Sequence, residues 1–301
     1  MNDAIPQTPD VDGTQPRIVS GRGRNGGHSL VVNGVTQSHV NLDDPTDLQL
    51  NYVRRISFVV DIVAPAGTAI RALHLGAGAL TIARYIAATR PGSKQFAVEL
   101  DSGLADLVTN HLPLASGADV TLRIGDARAV AEGLPADHAG ATDLVVVDVF
   151  SGDVAPLHIA TKEFLELLDG LLSPAGIVVI NVLSTGNLGF AKAELATVAT
   201  VFPELAVIVP DEVSRGAYGN LAIVASRVPI DTTSLAERAR TDEHAPAAVL
   251  VAAQARAFAG RALPLDDARV AAGVRLGGHW NRVPRAVARR LRRGIRRLLR
   301  R

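Results

Sequence analysis

The stretch that most constrains the fold is residues 73–86. Its apolar start, Leu73-His74-Leu75, breaks at Gly76-Ala77-Gly78 and resumes with apolar residues at helical spacing through Ile82, Ala83 and Ile86. The pattern predicts strand, tight turn, helix. Glycine has no Cβ, so such a turn lets main chain come close to a ligand, while the next helix aims its amide end at the same point. A ribose-bearing ligand is expected there. The dinucleotide form of the signal carries a third glycine three residues after the second. Here that position is Thr81, and no Gly-Lys-Ser/Thr sequence follows, so a pyrophosphate is not favoured.

The same cycle repeats downstream. Strands are expected at 70–75, 95–100, 120–124, 144–150 and 177–183, and helices at 79–89, 158–172 and 188–201. Alternation with short turns implies an α/β domain, a parallel sheet with helices on both faces. Runs 205–209 and 219–226 read as an antiparallel pair at the sheet edge. Upstream, Asn33-Gly34 between two strand-like runs predicts a hairpin, and 48–63 reads as a helix ending before Pro65. Residues 232–260 are Ala-rich and read as helical. The division expected is 1–27 as a disordered segment, 28–68 as hairpin and helix, 69–228 as the nucleoside-binding domain, 229–280 as a helical extension and 281–301 as a basic tail.

Of the 301 residues 48% are hydrophobic, and there is no cysteine, which excludes disulfides and thiolate metal sites. No apolar run reaches the length of a membrane span, and the N-terminus lacks a basic segment followed by an apolar one. A soluble, cytoplasmic protein is expected. The net charge of +1 hides ten Arg and no acid within 281–301, so the rest of the chain is acidic. From Pro284 onward, Val287, Leu291, Ile295 and Leu298-Leu299 share a face, an amphipathic basic helix suited either to an anionic surface or to the acidic body.

Ligands of an open parallel sheet bind beyond the carboxyl ends of its strands. Four successive predicted ends carry Gly or acid: Gly76 and Gly78, then Glu99, Asp126 and Asp148. Each alone is also a common turn former or helix cap. Four in a row favour a ligand site. A carboxylate at Glu99 suits a ribose diol, and an acidic site without phosphate donors suits a sulfonium nucleoside better than NAD. His74 and His158 read as packing or capping residues, and no His/Asp/Glu cluster has metal-ligand spacing.

Taken together, Gly76-Ala77-Gly78, Glu99-Leu100-Asp101, Gly125-Asp126-Ala127 and Asp148-Val149-Phe150-Ser151-Gly152-Asp153 resemble the spermidine synthase family, in particular its divergent bacterial members. The resemblance covers roughly residues 30–226. It implies a methyltransferase-like Rossmann sheet, mostly parallel with an antiparallel edge strand, an N-terminal β-hairpin and a C-terminal helical extension. It implies polyamine chemistry: aminopropyl transfer from decarboxylated S-adenosylmethionine to a small-molecule amine, without a metal. Glu99 would hold the ribose, Asp126 and Ala127 the adenine, Gly76 and Gly78 the turn. Asp148 would be the catalytic carboxylate, Asp153 would hold a second ammonium, and Gln37 and Tyr52 would face the substrate. A homodimer is also expected.

The chain departs from the family pattern at several points. The Asp of the glycine loop is Ala79, the Tyr-His-Glu segment is Tyr52-Val53-Arg54, Asp153 follows Asp148 by five residues, and Tyr218-Gly219-Asn220 stands near the site of a Tyr-Pro motif. These departures leave two alternatives open, an S-adenosylmethionine-dependent methyltransferase and a catalytically silent nucleoside-binding protein.

Overall fold

The computed structural model describes residues 15–21, 25–32, 34–150, 155–185 and 188–274. The expected basic tail and Asp153 lie outside them.

The chain opens with a three-stranded antiparallel sheet, β1 (Arg17–Ser20), β2 (His28–Val32) and β3 (Val35–Val40). The β2–β3 pairing agrees with the hairpin expectation, and Gly34 has the positive φ such a turn needs. β1 falls in the stretch expected to be disordered. It pairs along β2, Arg17 opposite Val31 and Ser20 opposite His28, and buries Ile18. Only the tertiary partner rescues so short a strand from its Pro- and Gly-rich surroundings.

There follow α1 (Asn51–Val63), β4 (Arg71–Leu75), α2 (Thr81–Thr89), β5 (Lys94–Glu99), α3 (Ser102–His111), β6 (Asp119–Ile124), α4 (Ala127–Glu132) and β7 (Thr142–Val147). After a 3-10 turn at Leu157–Ile159 come α5 (Lys162–Leu171), β8 (Leu172–Thr185), α6 (Gly189–Val201), β9 (Glu204–Val209), α7 (Asp211–Ser214) and β10 (Tyr218–Ser226). The described chain closes with α8 (Thr232–Thr241), β11 (Ala248–Val251), α9 (Ala252–Ala259) and α10 (Asp267–Ala271).

The main sheet has eight strands in the order β11-β9-β10-β8-β7-β4-β5-β6. β8, β7, β4, β5 and β6 run parallel, as expected. β10 is antiparallel to both β8 and β9, and β11 is antiparallel to β9, so the antiparallel region is wider than one edge strand. β11 also corrects the all-helical reading of 232–260. Its Ala-Val-Leu-Val sequence gains strand character from the open edge of β9.

Alternation along the central strands divides the core. Val145 and Val147 of β7 and Val178, Ile180 and Val182 of β8 pack with Phe164, Leu165 and Leu168 of α5 and Val198 of α6. Leu144 and Val146, with Ile177 and Val179, pack on the other face with Val53, Ile56 and Val60 of α1. A third cluster joins Ile18, Leu30 and Val40 of the small sheet to Ala79, Leu80 and Ala83 and to Val108 of α3. The small sheet is thereby seated on the glycine turn. Helix α2 begins at Thr81 rather than at 79, because Leu80 takes a left-handed conformation (φ 58°) as its N-cap. Helix α5 likewise begins later than expected, at Lys162, where the Thr161 hydroxyl accepts from the Phe164 N–H.

Candidate active site

The site lies at the carboxyl ends of β4, β5 and β7. Gly76 has φ +92°, and a Cβ there would sit 2.1 Å from the main-chain oxygen of Asp148. Gly78 has φ +50°, and its Cβ would come within 2.8 Å of Ser38 Oγ. Each glycine is required twice over, by its backbone angle and by what stands against it.

Glu99, at the end of β5, closes this turn. Its Oε2 accepts from the N–H groups of Ala77 (3.3 Å) and Gly78 (3.2 Å), and its Oε1 accepts from those of Leu100 (2.9 Å) and Asp101 (3.1 Å). The carboxylate therefore joins two strand ends at a point open enough to leave it half-buried. Beside it Leu100 is 66% exposed, a large apolar side chain held in solvent next to a carboxylate. The sequence reading assigned Leu100 no role. Its signal is an apolar residue at a strand exit, where turn formers are usual.

Asp126 caps α4, accepting from the Ala129 N–H at 3.0 Å, and its Oδ2 lies 2.8 Å from His158 Nε2. Burial pushes the Asp126 carboxyl up, but the bonds from His158 and Ala129 prevail and hold it below the usual carboxylate range. Ala127, the first residue of α4, is buried. His158 is a packing residue, as expected, but its contact with Asp126 was not foreseen. The two are far apart in sequence and meet because α4 packs against the turn at Leu157–Ile159. Arg128 locks that arrangement, donating to the His158 carbonyl (3.0 Å) and bidentately to Asp267 of α10 (2.6 and 2.7 Å).

Asp148 follows β7, its N–H bonded to the Leu75 carbonyl at 2.8 Å. Its Oδ1 accepts from Asn181 Nδ2 at 2.7 Å. Burial, above all, and the nearby charge of Glu99 raise its pKa to about 6, against the Asn181 bond, which lowers it. Tyr52 of α1 faces Asp148, and burial together with that negative charge keeps its phenol neutral, its pKa well above the ordinary value.

The small sheet covers this constellation. The Tyr52 hydroxyl donates to the main-chain carbonyl of Gln37 at 2.7 Å, so Gln37 meets the site through its backbone. Ser38 Oγ accepts from the Ala79 N–H at 3.3 Å. Thr81 Oγ1 donates to the His39 carbonyl at 3.2 Å. Thr81, the residue standing where a dinucleotide turn has glycine, is thus used to dock the cover. Among the described residues no three His, Asp or Glu side chains group closely enough to hold a metal ion, and no helix is long and apolar enough to cross a membrane.

No protein-family model matches the chain. The structure superposes on that of a probable spermidine synthase from Corynebacterium glutamicum with a TM-score of 0.76 and 30% identity, covering 83% of this chain and 92% of that one. The chain belongs to the spermidine synthase-like family. Similar proteins of this family include the polyamine aminopropyltransferases of Vibrio vulnificus, 30% identical over 136 residues and 44% of this chain, and of Chromobacterium violaceum, 29% identical over 213 residues and 69% of this chain. The chain spans 44% of the length of the Vibrio protein and 75% of the Chromobacterium protein. It spans 34% of a probable polyamine aminopropyl transferase from Bifidobacterium longum. A spermidine synthase bound to the transition-state analogue AdoDATO shares the fold, with a TM-score of 0.53 at 14% identity.

Proposed function

We propose that this spermidine synthase-like chain is an aminopropyltransferase that takes decarboxylated S-adenosylmethionine as donor and a small-molecule amine as acceptor. In this reading Glu99 holds the ribose hydroxyls, with Gly76 and Gly78 letting the nucleoside lie against the turn. Asp126, steadied by His158, and Ala127 meet the adenine edge, and Leu100 lies against the base. Tyr52 and Gln37 face the acceptor, and Asp153 is assigned its second ammonium.

The reaction forms a C–N bond and breaks a C–S bond. The amine lone pair attacks the carbon joined to the sulfonium, the C–S pair returns to sulfur, and methylthioadenosine leaves. Only the neutral amine has that lone pair. With a pKa near 10.4, removing its proton at pH 7 costs roughly 4 to 5 kcal/mol. Asp148 is the group that accepts this proton and aims the nitrogen.

One observation carries the proposal. Asp148 stands against the glycine turn at Gly76 with its Oδ1 held by Asn181, where burial raises its pKa to about 6. It is ionised at neutral pH and yet basic enough to take a proton.

The test is calorimetric titration of the purified chain with S-adenosylmethionine, its decarboxylated form and methylthioadenosine, followed by assay with putrescine. Tight binding of the decarboxylated form and methylthioadenosine, with release of the latter on adding putrescine, is the expected result. Asp148→Asn should lower the rate by roughly 10²- to 10⁴-fold while leaving methylthioadenosine binding intact. Binding of none of the three nucleosides would overturn the proposal.

Ala79 favours a second reading. It is fully buried and gives the loop no acid to attract the aminopropyl ammonium or repel a donor carboxylate. A methyltransferase using S-adenosylmethionine itself would show preferred binding of the carboxylated donor. A catalytically silent protein would bind nucleosides and release no methylthioadenosine.

A further inference from the structure

Asn181 and Asn220 belong to none of the strand-end motifs, yet they are hydrogen-bonded in series to Asp148. Asn181 lies on β8 beside Asp148 and is 6% exposed. While its Nδ2 donates to Asp148, its Oδ1 accepts from Asn220 Nδ2 of β10 at 3.1 Å. The Asn220 carbonyl accepts in turn from Nη1 of Arg55, a buried guanidinium on α1, at 3.1 Å. An ionised carboxylate can only accept. Asn181 must therefore turn its NH₂ toward Asp148, which leaves its oxygen for Asn220, and Asn220 must turn its own NH₂ to that oxygen. The charge at Asp148 dictates the orientation of both amides.

We propose that Asn181 and Asn220 act in series as positioning residues that hold Asp148 in its ionised, proton-accepting form, with Oδ1 engaged and Oδ2 left for the amine. This rests on the reading of Asp148 as the base. Among the described residues none bonds Oδ2, and the groups facing Asp148 otherwise oppose its charge or leave it unaided. Glu99 on β5 is a like charge, and Tyr52 on α1 is held as the neutral phenol. Among the described residues the Asn181 bond is the contact that favours the ionised form. Asn220 prevents the Asn181 amide from turning over, and the Arg55 contact holds the Asn220 backbone.

The test is a direct titration of Asp148 by ¹³C NMR in the full chain labelled at aspartate, with Asp148→Asn identifying the signal. Asn181→Ala is expected to raise the Asp148 titration by about one pH unit, and Asn220→Ala by less. The double variant should shift it no further than Asn181→Ala alone, because groups in series cannot add. The acidic limb of the kcat profile for aminopropyl transfer should move the same way, with methylthioadenosine affinity unchanged. Asn181→Ser serves in place of Asn181→Ala if that variant does not fold. Unmoved titrations, or shifts that add, would overturn the series. If the shifts appear and the wild-type chain transfers nothing, the relay stands and the aminopropyltransferase reading falls. Transfer with an unmoved Asp148 removes the relay alone.

Discussion

Gly76 tolerates no side chain. Gly76→Ala meets the Asp148 carbonyl and also forces alanine to a φ of +92°. Loss of methylthioadenosine binding, read by calorimetry, is expected even where the variant still folds. Glu99→Ala removes a carboxylate that joins two strand ends, and nucleoside affinity should fall by roughly 10- to 100-fold. Glu194 on α6 is a different case, a carboxyl buried with its Oε2 unpartnered and a pKa pushed by burial from 4.5 to about 8. The folded state then holds a proton that the unfolded chain gives up. Stability from this group is complete below pH 4.5 and is lost as pH rises through about 8. Glu194→Gln should flatten that loss, measurable as urea midpoints that diverge from wild type in alkaline buffer. The strand-end residues Gly76, Gly78, Glu99, Asp126 and Asp148 were legible in sequence because each follows an apolar run. Asn181 was not, since an amide inside an apolar strand gives no sign of what it faces, and His158 meets Asp126 only through the packing of α4 on the turn at Leu157–Ile159.

Helix α2 caps both of its helical neighbours. Arg90, at its C-cap, donates to the carbonyls of Val60 (2.8 Å), Ala64 (2.8 Å), Pro65 (2.8 Å) and Thr68 (3.2 Å) at the end of α1. Arg84 does the same for α3, through Leu112 (2.5 Å) and Pro113 (2.8 Å). The last carbonyls of a helix have no internal partners, and two guanidiniums supply them here, neither of them ion-paired with a carboxylate among the described residues. Arg90→Met keeps most of the volume but orphans the end of α1. A loss of about 3 kcal/mol is expected, seen as a lower urea midpoint with unchanged far-UV circular dichroism before the transition. Elements with strong periodicity, α1 and the five parallel strands, could be read from the chain alone. β1 and β11 could not, because each is a strand only by virtue of the edge beside it, and neither capping Arg has a spacing that distinguishes it from a surface charge.

At the level of the whole molecule, the parallel strands bring Glu99, Gly76 and Asp148 to one rim, and the small N-terminal sheet closes over it through Ser38, Tyr52 and Thr81. The order of the last strands cannot be read from the chain, because it departs from their order in sequence. β10 follows β9 in the chain but inserts between β9 and β8. This has a consequence for biosynthesis. Until Tyr218–Ser226 has been made, the long β8 has an open edge and β9 has no place to pair, a state prone to joining other chains. A chain ending at residue 217 should therefore collect in the insoluble fraction. The same late strand carries Asn220, so the step that covers the edge of β8 during synthesis is also the one that completes the hydrogen-bonded surroundings of Asp148.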